Sequence, residues 1–398
     1  MLKQARNSSV ELLKIFGMVL IVISHCIGSL TEKSLYVTND GYRITDLAAT
    51  GDWQHLLLTI LSYSSMIGVW LFFMCSAWFW IESTTFKKSK IFKLLADVWT
   101  ISILFLIAIL TLRNGNVDFD LLVRSFFPTL FANNWYITCY ILFMLIHPYL
   151  NLIIRSIEKK ELFRIVSLLT ILYVFANIYA NKFFFPSKII LWTTIYFMIG
   201  YIKLYMKKFQ ADIQINMVIM GVAALLIILT VILKNYFSLH FLYMKEDFLF
   251  RNCNNPLGIL LSISAVNVAT NYNFKSAVIN NISLCTLYIY IIHENILFRT
   301  YYRPLWWKYI YHEFGYEHIV LWLWIMVFGL FTASLLLGLI YKHSIGRGVG
   351  RIADFFYSKL SKIYIDVEKK LLTDIGINSD NHKYEYKNHN ENSFGNTV

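Results

Sequence analysis

The stretch ELLKIFGMVLIVISHC, residues 11–26, sets a lysine, Lys14, and a histidine, His25, inside an apolar segment. The segment extends over roughly residues 10–30, long enough for a helix to cross a hydrocarbon core about 30 Å thick. Eleven positions separate Lys14 from His25. At about 100° per residue, that separation is three full turns plus about 20°. The two side chains therefore share one face of a helix, with about 16 Å of rise between them. A polar side chain in lipid is costly, so a histidine at such depth marks a candidate functional site. The bland alternative is a histidine hydrogen-bonded to a neighbouring helix. Its alignment with Lys14 favours a functional role, and a neutral imidazole there is suited to act as general base toward a hydroxyl.

The rest of the chain repeats the pattern of the first span. Of 398 residues, 57% are hydrophobic, 17% aromatic and only 15% charged. Mean hydropathy is +0.54. A soluble domain of this size carries far more charge, so the expected class is an all-α, polytopic integral membrane protein. Ten spans are predicted, at roughly 10–30, 55–82, 94–112, 135–153, 165–180, 189–206, 215–233, 255–270, 277–298 and 319–341. The first stretch is long enough to span and no small-residue cleavage site follows it, so no signal peptide is expected. No repeat with a period of roughly 20–50 residues is visible.

The net charge of +12 invites a nucleic-acid reading, but its distribution does not. Lys and Arg gather in short segments between spans, and most fall on one side if the N-terminus is cytoplasmic. Both termini are therefore expected in the cytoplasm, with no nucleic-acid partner. Residues 342–377 mix aromatic, aliphatic and lysine residues, as in IADFFYSKLSKIYIDVEKKLL, and are expected as a cytoplasmic helix along the membrane surface. Residues 378–398 are polar and Asn-rich, with the composition of a disordered tail. Four of the five cysteines lie inside apolar spans and no two have metal-motif spacing, so neither disulfides nor a metal site is expected.

Four further constellations carry chemistry. Lys90 and Lys93 share a helix face where a basic loop enters the third span. They either signal topology or, with Lys14, bind an anionic cofactor at the cytoplasmic face. In YIYIIHENILFR, residues 288–299, His293 and Glu294 fall at the outer end of the ninth span. Glu294 either orients an imidazole, binds a sugar hydroxyl, or belongs to an interfacial pair that faces water. Trp135 and Tyr136 open the fourth span as belt residues or as a stacking platform for a sugar. His147 and Pro148 fall near its inner end, where Pro148 is expected to shape the helix end. The aromatic outer segments RPLWWKYIYHEFGYEH (303–318) and FSLHFLYMKEDFLF (237–250) read as interfacial belts or as the lining of a sugar or lipid site.

Taken in order, these motifs resemble the acyltransferase-3 family, bacterial membrane proteins that acylate extracytoplasmic glycans. Lys14 and His25 match a basic residue followed by ten residues and a histidine. GVWLFFMCSAWFW (68–80) is similar to the family's second-span pattern, and KIFKLL (90–95) to its basic third-span entry. NWYITCYILFMLIHPYLN (134–151) and YIYIIHENI (288–296) look like its Trp-Tyr and late His-Glu segments. The chain departs from the family with Lys14 where Arg is usual, Ala77 where Gly follows Ser76, and Ala96 where many members have Pro.

The resemblance implies an O-acetyltransferase of the bacterial cytoplasmic membrane. Acetyl-CoA would bind from the cytoplasm with its phosphates near Lys14, Lys90 and Lys93. The acyl group would reach His25, as base or as covalent carrier, with His293 and Glu294 beside it. The acceptor would be a hydroxyl of a capsular, exopolysaccharide or other cell-surface glycan, near Trp135 and Tyr136. No metal is implied. A flippase or polymerase of the same glycans is the rival class. The outer loops are short, and the prolines too few for the broken helices of a transporter.

Overall fold

The computed structural model describes residues 6–31, 52–83, 88–175, 188–237 and 255–374. Within these residues the chain is helical throughout, with no strand. In order the helices are α1 (Ser8–Thr31), α2 (Trp53–Ser62), α3 (Ser64–Trp80), α4 (Ser89–Leu112), α5 (Phe119–Phe126), α6 (Trp135–Ser156), α7 (Lys159–Thr170), α8 (Lys188–Tyr205), α9 (Lys207–Ala211), α10 (Ile213–Phe237), α11 (Pro256–Asn271), α12 (Ala277–Ser283), α13 (Thr286–His293), α14 (Ile296–Tyr301), α15 (Arg303–Phe314), α16 (Ile319–His343) and α17 (Ile345–Asp374).

Among the described residues, six segments are long and apolar enough to cross a membrane: 8–29, the α2–α3 pair 53–80, 89–112, 135–156, 213–233 and 319–343. The others differ from the ten-span expectation for local reasons. Of the fifth predicted segment, residues 165–175 form the end of α7 and a π turn while 176–180 lie outside the described residues, and the eighth is only sixteen residues long. The ninth is interrupted twice, after Ser283 and again at Glu294. The second, which is among the six, is interrupted at Tyr63. FSLHFLYMKEDFLF from residue 238, Cys253 and the polar tail from 378 lie outside the described residues.

The bundle is built on one close crossing. At Gly17 of α1 and Gly68 of α3 the backbones touch, because a Cβ on Gly68 would lie 2.5 Å from the Gly17 carbonyl oxygen. Small residues at such a crossing give van der Waals contact, which must hold helices together where lipid is as apolar as leucine. Ser64 Oγ donates to the Leu20 carbonyl at 2.9 Å and fixes the register.

Polar side chains tie the remaining helices at their ends. The last carbonyls of α3 have no intrahelical partners. Lys203 donates to Trp78 O at 2.5 Å, Asn151 to Trp80 O at 2.8 Å and Arg155 to Ile81 O at 3.0 Å. Asp97, buried on α4, accepts from Tyr288 at 3.0 Å and from Tyr341 at 2.8 Å, joining α4, α13 and α16.

Pro148 corrects an expectation. α6 runs through it to Ser156 rather than ending near it. Proline cannot donate to the carbonyl four residues back. That carbonyl belongs to Met144, and the His147 ring donates to it through Nδ1 at 3.0 Å. His147 is buried and stacks on Trp80 at 5.0 Å, so it repairs its own helix.

Candidate functional site

The candidate site forms where α13 stops. Asn295 caps the next helix, its side chain accepting from Leu297 N, and so the chain turns at Glu294. The turn presents His293 and Glu294 to α1. His25 Nδ1 lies 3.0 Å from His293 Nε2 and 3.2 Å from Glu294 Oε1. His293 and Glu294 are both buried, while 22% of the His25 side chain stays accessible.

Two arginines hold the carboxylate. Arg303 Nη1 donates to Glu294 Oε1 at 2.6 Å and Arg299 Nη1 to Oε2 at 3.0 Å. Arg303 is the first residue of α15 and is only 2% exposed, although its stretch reads from sequence as an outer aromatic segment. One turn further on, Trp307 Nε1 donates to the Cys26 carbonyl at 2.9 Å, clamping α15 to α1 beside His25. Arg303, Trp307 and Ile310 are all buried, at i, i+4 and i+7, while Leu305, Trp306 and Tyr309 are exposed. That stripe was the signal in RPLWWKYIYHEF for an inward helix face carrying a charge.

The contacts constrain the proton positions. His293 Nδ1 faces the Ile289 carbonyl at 2.6 Å, and a carbonyl only accepts, so Nδ1 carries the proton. Glu294, held by two guanidiniums, is a carboxylate and also only accepts. The His25 Nδ1 facing it is therefore a donor, shared between Glu294 Oε1 and the lone pair of His293 Nε2. Each ring thus carries a proton on Nδ1 in these contacts, and His25 Nε2 takes no part in them. A base oriented by a second residue, which is itself oriented by a third group, is the general pattern of an activated proton acceptor.

Ligand atoms of His25, His293 and Glu294 lie within 4.8 Å of one another, a spacing that also suits a metal ion. The two guanidiniums on Glu294 oppose a further cation there, and the ring atoms that face each other already satisfy one another. We read the trio as a hydrogen-bonded relay.

The other candidates of the sequence lie elsewhere. Tyr136 is buried against Phe72, Trp192 and Tyr290, and the Tyr290 ring lies 5.8 Å from His293 and 6.3 Å from His25. Tyr136 thus backs the histidines as part of the core. Trp135 is half-buried, with Lys188 Nζ 3.7 Å from its ring centre. Lys14 pairs with Glu11 at 3.5 Å; Glu11 also lies 3.8 Å from Arg6 and accepts from Ser283. Lys90 and Lys93 sit on the first turn of α4, where the Lys93 side chain packs over Gly350 of α17. No contact among the described residues joins either of them to Lys14.

Arg303→Met is expected to cost about 3–5 kcal/mol, because removing one partner of a buried ion pair strands the other. Arg303→Lys should recover part of this by restoring charge without the second bond to the His293 carbonyl. Thermal unfolding of the purified protein in detergent reads both variants. An unchanged Tm for Arg303→Met would show that Glu294 does not depend on it.

No curated protein and no solved structure matches the chain. A family model described as an acyltransferase domain matches residues 7–342, from the start of α1 to the end of α16, and so takes in His25, the His293–Glu294 turn and both arginines. The chain belongs to the acyltransferase-3 family and is a multi-pass membrane acyltransferase.

Proposed function

We propose that this acyltransferase O-acetylates a capsular, exopolysaccharide or other cell-surface glycan in the bacterial cytoplasmic membrane, using acetyl-CoA from the cytoplasm. The observation that carries the reading is the placement of His25 Nδ1, 3.0 Å from His293 Nε2 and 3.2 Å from Glu294 Oε1, which engages that nitrogen and leaves Nε2 as the one to accept a proton. In this reading Nε2 takes the proton of the acceptor hydroxyl as its oxygen attacks the thioester carbonyl. The carbon–sulfur bond breaks and the proton passes to the departing thiolate. The negative Glu294 stabilises the imidazolium formed between the two steps.

The donor's phosphates belong at the end of α1 where Lys14 stands. Arg6 and Lys14 share one carboxylate, Glu11, which leaves that corner with a surplus positive charge. The sequence grouped Lys90 and Lys93 with Lys14. The Lys93 side chain instead packs against Gly350 of α17. The expected topology, with both termini cytoplasmic, puts Lys14 on the donor side and His25 deeper, toward the acceptor.

The test uses membranes containing the protein, acetyl-CoA labelled in the acetyl group, and polysaccharide from the same cells. Label should enter the polysaccharide as an ester released by hydroxylamine. Transfer from another acyl-CoA but not from acetyl-CoA would replace the donor, and label in an amide would replace the acceptor class.

Lys14→Ala should raise KM for acetyl-CoA about tenfold, equivalent to ~1.4 kcal/mol. It should leave KM for the glycan in place, and Lys14→Arg should restore donor affinity because charge is kept and a fork is gained. An unchanged donor KM in the alanine variant removes Lys14 from phosphate binding.

A further inference from the structure

On the outer surface of α4 two apolar hollows lie side by side, both lined by Ala96 and Trp99. One, of about 340 Å³, is closed by Phe126 at the end of α5 and by the segment 127–130 that follows it. The other, of about 320 Å³, lies between α4 and α17 and is closed by Val349, Ile352 and Phe356. Together they form a trough. Trp99, Phe127, Leu130, Ile352 and Phe356 are large apolar side chains left exposed along it. Trp99 Nε1 is itself satisfied by the Phe126 carbonyl at 3.1 Å, so the trough offers hydrocarbon rather than hydrogen bonds.

The trough has a charged end. Lys93 stands one turn before Ala96 and two turns before Thr100 on the same face of α4, and Lys90 precedes it by three residues. The Lys93 side chain packs over Gly350, between the α17 residues that line the hollow. Arg347 and Arg351 of α17 are exposed on the side of that helix away from the trough. None of these four cations is paired with a carboxylate among the described residues. Asp97, on the next turn of α4, is committed to Tyr288 and Tyr341. Asp354 of α17 is exposed.

α17 itself has the pattern of an interfacial helix. Ile345, Ile352, Phe356 and Ile363 project on one side and are exposed, while Arg347, Arg351 and Lys362 lie opposite. Beside a membrane-spanning α4, its apolar side belongs in the lipid and its basic side at the head groups. Anionic lipids attract such a basic segment by about 1 kcal/mol per Lys or Arg.

We propose that the α4–α17 trough binds an anionic glycerophospholipid of the surrounding bilayer, with an acyl chain along Ala96 and Trp99 and the phosphate held by Lys90 and Lys93. The proposal rests on the membrane character of the chain and is independent of the acetyl-transfer reading. A polyprenyl phosphate shares this chemistry. As an acceptor carrier it would have to deliver its sugar to His25, and none of the trough residues is bonded to the cluster on α1, α13 and α15. The bilayer lipid is therefore the occupant the observations favour.

The experiment is native mass spectrometry of the full chain, purified in mild detergent and titrated with phosphatidylglycerol or phosphatidylcholine. Phosphatidylglycerol should be retained at least tenfold better. Lys90→Gln with Lys93→Gln should erase that preference, and Ala96→Trp, which fills the trough, should abolish retention of both lipids. Equal retention of the two lipids by the unaltered protein overturns the proposal. So does displacement of phosphatidylglycerol by an equimolar polyprenyl phosphate. A double lysine variant that keeps its lipid but shows a raised KM for acetyl-CoA also overturns it, and returns both lysines to the donor site. The lysine variants lie on an exposed turn, so the result does not depend on Ala96→Trp folding.

Discussion

His25→Ala is expected to lower acyl transfer by about 10²–10⁴-fold, the usual contribution of a positioned general base. The loss should fall on kcat, because His25 meets the reacting hydroxyl rather than the body of the donor. His293→Phe tests the relay separately. It removes the lone pair that accepts from His25 Nδ1 and leaves Glu294 Oε1 as the remaining acceptor at 3.2 Å. A smaller loss in kcat is expected, with partial recovery in His293→Gln, whose amide oxygen can accept the same proton. If His293 were only a packing residue, Phe would serve at least as well as Gln and the expected order would be lost. Glu294→Gln should be worse than either, because it leaves Arg303 and Arg299 facing a neutral group in a buried site. Quenching the unaltered enzyme during turnover with labelled acetyl-CoA should leave no label on His25. Label isolated there would make the histidine a covalent carrier, and full transfer by His25→Ala would remove it from the chemistry.

The relay was half legible in the sequence. Lys14 and His25 announce themselves because charge and imidazole are rare in apolar runs, and His293–Glu294 stands out for the same reason. That the two histidines meet is a tertiary fact, because 268 positions separate them. The arginines were hidden by composition. Arg303 opens a stretch rich in Trp and Tyr, which reads as an interface, and only its i, i+4, i+7 stripe with Trp307 and Ile310 points inward. Helix positions followed hydropathy closely, whereas helix breaks did not. The stop at Glu294 depends on Asn295 as a cap, and the continuation through Pro148 depends on His147 standing in for a lost N–H. Both are decided by one side-chain hydrogen bond, which a window of average hydropathy does not register. Tyr136, read as a belt residue or a platform for sugar, is enclosed because α8 brings Trp192 against it at 5.1 Å.

The α1–α3 crossing leaves no room for a side chain at Gly68. Gly68→Ala places a methyl group 2.5 Å from the Gly17 carbonyl oxygen and 2.9 Å from Ile21 Cγ1. The first of these neighbours is backbone and cannot rotate away, so the two helices must part. Overpacking of this kind costs about 1–3 kcal/mol, and a contact with main chain belongs at the upper end. Gly68→Leu should exceed it and prevent accumulation of folded protein. Gly28→Ala is the control on α1, since nothing lies within 4 Å of a Cβ there. It should leave Tm unchanged or raise it, because alanine favours the helix over glycine by roughly 1 kcal/mol. The crossing also bears on chemistry. Leu20, whose carbonyl Ser64 holds, and Ile21, which faces Gly68, lie only four or five residues before His25 on the same helix. A shift of α1 there lengthens the 3.0 Å and 3.2 Å contacts that orient the imidazole. Gly68→Ala should therefore lose activity beyond its loss of folded protein, measured as turnover per folded molecule after size exclusion. Turnover that merely tracks the folded fraction would separate the crossing from the geometry of His25.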